Sequence, residues 1–406
     1  MIESHRTFRI NRIAALSLAA GLLTVPAVQA QRLLSLPEAI NMALENNPQV
    51  KVANLRVDKQ RALLPSALSL TGPELIFEAP TTRHFEPGLL MPFSLPTVYR
   101  NQRKVQEQQV QLSQTEKQVT TNTLRYNVRT IFNEILYLRE SIANYRRQDS
   151  LLLDFARVTG VRQRVGQISR IEVLNAQSQQ REIRYLLDQT RARVRSARIQ
   201  LGLLVGMPND TTLQAAGTFG KLAYSTPFLS SDSTFTRNPL SGFYRQNQRL
   251  SEANLTLEQK RRLPNIIVGY LNQGTAESPW LYRFRFGMSL PVWGWVASSR
   301  IKAAQTDVAI ARTQISLNQY ELQGSYDKAF ADYLQYQEAL DYFETIGLLE
   351  ANEIVKAAQD GYRLGSIGYY DYLLNIQQAF KIRLGYLEAL RNFNQAVITL
   401  QYLKGE

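Results

Sequence analysis

The sequence contains no cysteine and only two histidines, His5 and His84. Without cysteine the chain has no disulfide, no thiolate metal site and no thiol nucleophile. Two isolated histidines form no catalytic or metal-binding pair, and the sequence has no glycine-rich phosphate loop after a strand and no metal-ligand spacing. We therefore expect no catalytic residue, no metal and no cofactor, and we do not expect an enzyme.

Long apolar runs are also missing, since no later segment reaches the roughly eighteen apolar residues of a transmembrane helix. The start of the chain has another pattern: a basic stretch, an apolar stretch at 13–23, and the small-residue site Val28-Gln29-Ala30. This order predicts a signal peptide over residues 1–30, cleaved after Ala30. The mature chain is then exported, and it would enter a membrane only as strands.

Acidic residues are outnumbered, with 34 Asp and Glu against 47 Lys and Arg and a formal net charge of +13. Such a balance raises nucleic acid, an anionic membrane surface or an acidic ligand as partners. No nucleic-acid-binding motif accompanies it, and a basic balance is more often a solvated surface. We expect no nucleic-acid partner.

The sequence contains an internal duplication. Arg164-Val165-Gly166-Gln167-Ile168 is matched 199 residues later by Arg363-Leu364-Gly365-Ser366-Ile367. Ser94-Leu95-Pro96 and Ala53-Asn54-Leu55 recur in the same order, as Ser289-Leu290-Pro291 and Ala253-Asn254-Leu255. Ordered recurrence predicts two copies of one structural unit. We place the first repeat at 31–205, a connector at 206–240 and the second repeat at 241–406.

Each repeat predicts a long helical hairpin. No Gly or Pro occurs between Thr97 and Thr159, and apolar residues recur there at three- and four-residue spacing, as in a helix with one buried stripe. Gly160 and the region of Gly166 should end that helix, and a partner should return to about Leu204. The second repeat should do the same over about 295–403, with interruptions at Gly324 and Gly347. The repeated glycine motif then lies at the tip of each hairpin.

A β-hairpin is predicted before each helical hairpin, at about 72–96 and 265–291. The strand at 280–290 alternates strictly between two faces. Its apolar face carries Trp280, Tyr282, Phe284, Phe286, Met288 and Leu290. Arg283 and Arg285 fall on the other face. The strand suits either the edge of a soluble sandwich or the apolar band, about 25 Å tall, of an outer-membrane barrel; in a barrel the apolar face meets lipid and the arginines face the pore.

Four strands cannot close a transmembrane barrel, which needs about eight or more. Open strand edges in lipid would leave backbone groups unpaired. Three copies would supply a 12-stranded β-barrel and a continuous 12-helix α-barrel. The predicted fold class is therefore mainly α with a small membrane β portion, assembled as a homotrimer.

The chain resembles the family of TolC-like outer-membrane efflux proteins. The resemblance rests on Asn47-Pro48 and Asn238-Pro239 opening the halves, on aromatic hairpins ending in Ser-Leu-Pro, and on the two tip motifs. It implies a passive channel in the outer membrane of a Gram-negative bacterium, with a large periplasmic portion. It also implies partners: a periplasmic adaptor (membrane fusion) protein and, through it, an inner-membrane pump.

The resemblance also assigns roles to residues at the tips. Those similar to adaptor-contact positions are Val165, Gly166, Gln167, Ile168 and Ser169, and Leu364, Gly365, Ser366, Ile367 and Gly368. The alternative is that the glycines only terminate helices. Candidates for a periplasmic gate are Glu172, Asp371, Tyr362 and Arg363, although acids at a helix start are equally explained by the helix dipole.

The sequence leaves alternatives for the substrate, for the location of an arginine stripe and for the function. The segment 92–111 resembles family members that serve metal-cation exporters, yet drugs remain the other substrate class. Arg184, Arg191, Arg195 and Arg198 fall near one helical stripe, which is either a solvated face or a lining of the tunnel. The alternative function is a periplasmic coiled-coil adaptor or scaffold without a pore.

Overall fold

The structure is a computed structural model that describes residues 32–68, 71–81, 84–208, 210, 213–224, 235–272, 282–289 and 294–406. The predicted signal peptide lies outside these residues. Among them, no helix carries an apolar stretch long enough to cross a membrane. The chain is mainly helical with one small antiparallel sheet, which confirms the predicted mainly α class with a small β portion.

The first helical hairpin consists of α3 (Pro96–Arg164) and α4 (Arg170–Leu204). Pro96 occupies the first turn of α3, where its missing N–H costs no hydrogen bond. The 69 residues of α3 correspond to about 100 Å of helix. The helix runs through Gly160, so the expected break there was wrong: one glycine costs only about 1 kcal/mol, and the chain turns at Gly166 instead.

The second hairpin consists of α6 (Gly294–Tyr342), a π-helical turn (Phe343–Gly347), α7 (Leu348–Leu364) and α8 (Tyr369–Lys404). The helix α6 passes through Gly324 without a break. Near Gly347 the chain stays helical but forms a π turn, in which each hydrogen bond spans five residues and not four. The Phe343 ring packs beside Gly385 of α8, where a Cβ would lie 3.0 Å from the ring. The π turn has no counterpart in α3.

Shorter helical segments pack against α3: α1 (Leu36–Asn46), α2 (Pro48–Ala62), a 3-10 turn (Pro65–Leu68) and α5 (Pro239–Lys260). In the predicted connector, β4 (Leu213–Ala215) pairs in parallel with β1 (Arg32–Leu34). This ties the connector to the start of the first repeat.

The main sheet has four antiparallel strands, β2 (Glu74–Thr81), β3 (His84–Phe93), β5 (Asn265–Asn272) and β6 (Tyr282–Ser289), in the order β2-β3-β5-β6. The two predicted β-hairpins therefore join through β3 and β5 into one sheet. In the first hairpin β2 continues to Thr81 and β3 begins at His84.

The helices pack side by side with α3 in the middle. Near the tips, α3 contacts α4 and α8, and α8 contacts α7; near the sheet, α3 contacts α2 and α5, and α5 contacts α6. The core follows these seams, for example where Leu152 and Phe155 of α3 meet Ile376 and Phe380 of α8. Each protomer thus has two outer edges, one formed by α2, α4 and β2 and the other by α6, α7 and β6.

Candidate functional sites at the sheet and the tips

One face of the four-stranded sheet is apolar across its whole width. Residues directly opposite each other in neighbouring strands point to the same face, so the register defines rows. One row contains Leu75, Leu89, Tyr270 and Phe284; the next contain Met91, Val268 and Phe286, and Phe93, Ile266 and Met288. Phe284 and Phe286 are 71% and 76% exposed. The protomer therefore presents a broad apolar surface that none of its own described elements covers.

The opposite face carries the charged residues of the sheet, together with glycines and the aliphatic side chains Ile76, Leu90, Ile267 and Leu271. Arg283 and Arg285 lie on it, as the alternation predicted. Arg285 forms an ion pair with Glu78, at 3.0 Å between Nη1 and Oε1, across the two intervening strands. Gly88 lies beneath this span, where a Cβ would sit 2.8 Å from the Leu271 side chain. A direct contact between the first and fourth strands is expected for a sheet that curls toward this face.

The sequence does not predict Glu78 as the partner of Arg285, because the two residues come together only when β3 pairs with β5 and joins the two hairpins into one sheet. Two of the residues predicted for the apolar face of this strand, Trp280 and Leu290, lie outside the described residues, and Tyr282 is the first residue of β6.

Both outer strands of the sheet, β2 and β6, have a backbone edge without a pairing strand among the described residues. In water such an edge is hydrated, but in hydrocarbon every unpaired N–H or C=O costs several kcal/mol. The sheet is thus open on both sides, and its two edges belong to different repeats.

The two helical tips have the same backbone geometry. Gly166 and Gly365 adopt φ values of 76° and 75°, the left-handed conformation that glycine reaches without strain. After each glycine the chain closes back on the helix, with Gln167 N donating to Arg162 O and Ser366 N donating to Gly361 O, both at 2.9 Å. Both glycines do terminate helices in this way, and they leave Val165 and Leu364 exposed beside the turn.

The tips differ at the start of the returning helix. Ser169 caps α4 by accepting from Glu172 N, and its hydroxyl donates to the Glu172 carboxylate at 3.2 Å. Gly368 stands at the equivalent place before α8 and has no side chain to form a cap. The Glu172 carboxylate therefore takes part in capping, whereas Asp371 lies in a first turn without a side-chain cap.

An aromatic cluster joins the two hairpins just above the tips. Phe155 of α3 lies 4.5 Å from Tyr372, 5.1 Å from Tyr362 and 5.3 Å from Tyr369, measured between ring centroids. The Arg162 guanidinium lies 4.6 Å from the centre of the Tyr362 ring. Tyr362 was predicted for this region from the resemblance. Phe155, Tyr369 and Tyr372 were missed, because no sequence pattern shows which residues two separate hairpins bring together.

Two hydroxyls of this cluster lack hydrogen-bond partners among the described residues, those of Tyr362 and Tyr369. Burial, followed by the charge of Glu172, raises the pKa of Tyr369 to about 12. Both hydroxyls are therefore protonated donors at neutral pH. Arg363 does not join the cluster: it is exposed and pairs with Asp360 at 3.0 Å.

No group of His, Asp and Glu side chains suited to hold a metal ion occurs in the described part of the chain. No protein-family model matches the sequence. The search of curated proteins likewise found no match.

Solved structures do match. The Campylobacter jejuni CmeC outer membrane channel superposes with a TM-score of 0.79 at 16% identity, covering 91% of this chain and 85% of that one. The outer membrane protein VceC of Vibrio cholerae gives 0.75 at 12% identity, covering 91% and 96%. The open Neisseria gonorrhoeae MtrE outer membrane channel gives 0.75 at 16%, covering 91% and 88%. The chain has the fold of these outer-membrane proteins, which confirms the TolC-like resemblance at the level of the fold.

Proposed function

We propose that this chain is the outer-membrane channel component of a tripartite efflux system. In this role it is a passive homotrimeric duct that carries substrate from a periplasmic adaptor and an inner-membrane pump to the exterior. The observation that carries the proposal is the four-stranded sheet, with an uncovered apolar face, a second face that holds its charged residues, and two open edges, attached to helices about 100 Å long.

Insertion into a lipid bilayer as part of a barrel explains the apolar face, the charged face and the open edges of the sheet together. An apolar face suits contact with hydrocarbon, and the face that carries Arg283 and Arg285 suits a water-filled pore. Pairing β2 of one copy with β6 of the next satisfies both edges. Three copies then close a 12-stranded barrel, whereas a periplasmic scaffold without a pore gives no reason for an exposed apolar sheet with unpaired edges.

The tips are the proposed docking points for the adaptor. Supporting this role are the left-handed glycines Gly166 and Gly365, which expose backbone at the turn, and the aliphatic side chains Val165 and Leu364 beside them. We propose a periplasmic gate around the nearby Glu172, Asp371, Tyr362 and Arg363. The aromatic cluster supports it by packing the first hairpin against the second at this level.

Membrane fractionation combined with amine crosslinking tests the duct. We expect the mature chain in the outer-membrane fraction, crosslinked to a species of three chains. Recovery as a soluble periplasmic monomer would overturn the duct and favour the scaffold.

The substrate class can be separated by a sensitivity assay on a strain that lacks the gene. Loss of a metal-exporting duct should sensitise cells to divalent cations and leave their tolerance of hydrophobic drugs unchanged. We propose the metal-cation class, because the segment 92–111 resembles members that serve cation exporters. Sensitisation to drugs alone would reject it.

A further inference from the structure

We propose that α4 of one protomer packs against α6 and α7 of a second copy of this chain, guided by four Arg–Glu pairs at matched heights. The inference rests on the proposed trimer and specifies the interface that closes its helical wall. It also gives a role to Arg184, Arg191 and Arg195 of the arginine stripe on α4, which neither the sheet nor the tips explain.

The helices α4 and α7 are the two outermost helices near the tips, and both carry exposed apolar residues. On α4 these include Ile171, Tyr185 and Ile199. They are spaced fourteen residues apart, which is two heptads, so they form one coiled-coil seam. On α6, the π turn and α7 the exposed apolar residues include Leu334, Ile346 and Leu349. Each edge thus has exposed apolar side chains that can pack against another helix.

The charges beside the two stripes have opposite signs. The α4 edge carries exposed Arg181, Arg184, Arg191 and Arg195, and the α6–α7 edge carries exposed Glu338, Glu344, Glu350 and Glu353. Among the described residues, none of these glutamates forms an ion pair. Of the arginines only Arg191 does, with Asp188 of its own helix. Opposite charges that lack partners within a protomer can find them on the next.

The charges also match in height above the tips. Arg181 and Arg184 lie 11 and 14 residues after the first residue of α4, while Glu353 and Glu350 lie 11 and 14 residues before the last residue of α7. Arg191 and Glu344 lie 21 and 20 residues from those ends, and Arg195 and Glu338 lie 25 and 26. At 1.5 Å per residue the four levels lie at about 17, 21, 31 and 38 Å.

The two hairpins of a protomer end at the same level, so residues at equal distances from the two tips lie at equal heights. Gln377 of α8 donates to Gln179 of α4 at 2.6 Å. These residues are 198 positions apart, within one of the 199-residue offset of the duplication. The tips therefore end at the same height, and so do the tips of protomers related by rotation about the channel axis.

Because the α4 edge of one protomer contacts the α6–α7 edge of the next, the contact is head-to-tail. Such contacts close into a ring when the rotation between neighbouring protomers is a whole fraction of a full turn. Pairing α4 with another α4 would set arginine against arginine, and a slip of one helical turn in either direction would keep only two of the four Arg–Glu pairs level. The charges therefore select the partner edge and its height. In this arrangement Arg184, Arg191 and Arg195 of the stripe face the neighbouring protomer, and not open solvent or the tunnel.

The absence of cysteine allows a direct test by disulfide crosslinking. Tyr185 and Leu349 each lie 15 residues from the respective helix end, so the Tyr185→Cys, Leu349→Cys variant should form intermolecular disulfides and covalent trimers on oxidation. The matched control is Ile199→Cys with Leu349→Cys. It keeps the same seam but shifts one cysteine by about 21 Å, well beyond disulfide reach, and it should stay monomeric on denaturing gels.

Charge reversal tests the ionic part. Arg184→Glu and Glu350→Arg should each speed dissociation of the purified trimer roughly tenfold, since exposed pairs are individually weak but three interfaces change together. Combining the two should restore the parent rate. The control is Lys104→Glu, the same charge change at an exposed site on α3, which should leave the rate unchanged.

The outcomes separate this interface from the proposed function. If the cysteine-free parent is trimeric but the matched pair does not crosslink, or the mismatched pair does, the interface is wrong and the duct stands. If the combined charge reversal dissociates as fast as either single one, the Arg–Glu pairing is wrong. A parent that is monomeric in the membrane would overturn the duct itself.

Discussion

Replacing Phe284 with arginine is expected to abolish assembly of the trimeric channel. Phe284 belongs to the row that crosses all four strands of the sheet, on the apolar face. A charge on the lipid side of a barrel strand costs about 2 to 4 kcal/mol at mid-depth. Three copies would contribute about 6 to 12 kcal/mol, which is comparable to the whole folding free energy of a typical domain.

The measurement is the amount of trimer recovered from the outer-membrane fraction. Gly287→Arg is the matched control, because it adds the same charge to the same strand on the opposite face. There is room at that position, since the nearest atom to a Cβ on Gly287 would be 3.6 Å away, on Ile267. We expect near-normal recovery of the control. Equal recovery of the Phe284 variant would mean that this face does not meet lipid.

The sequence predicts the helices and the sheet strands well because their signals are local. Alternation over a few residues identifies β6, and spacing of three and four residues identifies α3. The duplication supplied the second half once the first was understood. Gly166 and Gly365 are also local signals, since a glycine after a helical run predicts a left-handed end.

Features that depend on contacts between distant segments could not be predicted. The pairing of β3 with β5, and with it the Arg285–Glu78 ion pair, joins residues about 200 positions apart. The cluster of Phe155 with Tyr369 and Tyr372 depends on how two hairpins pack. The π turn at Phe343 depends on Gly385 of another helix, which leaves room for the ring. In each case one partner carries no local signal of the other.

The Asn-Pro pairs were recognised in the sequence as the start of each half, but their hydrogen bonds to distant helix ends could not be predicted from it. Asn47 accepts from Gln49 N and donates to Leu204 O, both at 2.8 Å. Asn238 accepts from Leu240 N and donates to Leu403 O, again at 2.8 Å. Each asparagine therefore caps the start of one helix and the end of another. Since Leu204 ends α4 and Leu403 lies at the end of α8, each residue fastens the returning helix of a hairpin to the first helix after an Asn-Pro pair.

Asn238→Asp is expected to destabilise the protein by about 2 to 4 kcal/mol. Aspartate caps a helix start as well as asparagine does, so the N-terminal cap should survive. The donor to Leu403 O is lost, and a carboxylate is placed against that carbonyl at a position only 3% exposed. A buried acceptor left without a donor costs about 1 to 3 kcal/mol, and more when a charge is involved. The measurement is the temperature at which the purified protein loses its helical circular dichroism.

Asn254→Asp provides the matched control, since it makes the same change at an exposed position of α5. Asn47→Asp should behave like Asn238→Asp, because both residues make the same two hydrogen bonds. The combined Asn47→Asp, Asn238→Asp variant should lose about the sum of the two, since well-separated sites without shared partners are additive. If Asn238→Asp is no worse than Asn254→Asp, capping alone explains the Asn-Pro pairs, and the donated bonds to the hairpin ends contribute nothing to stability.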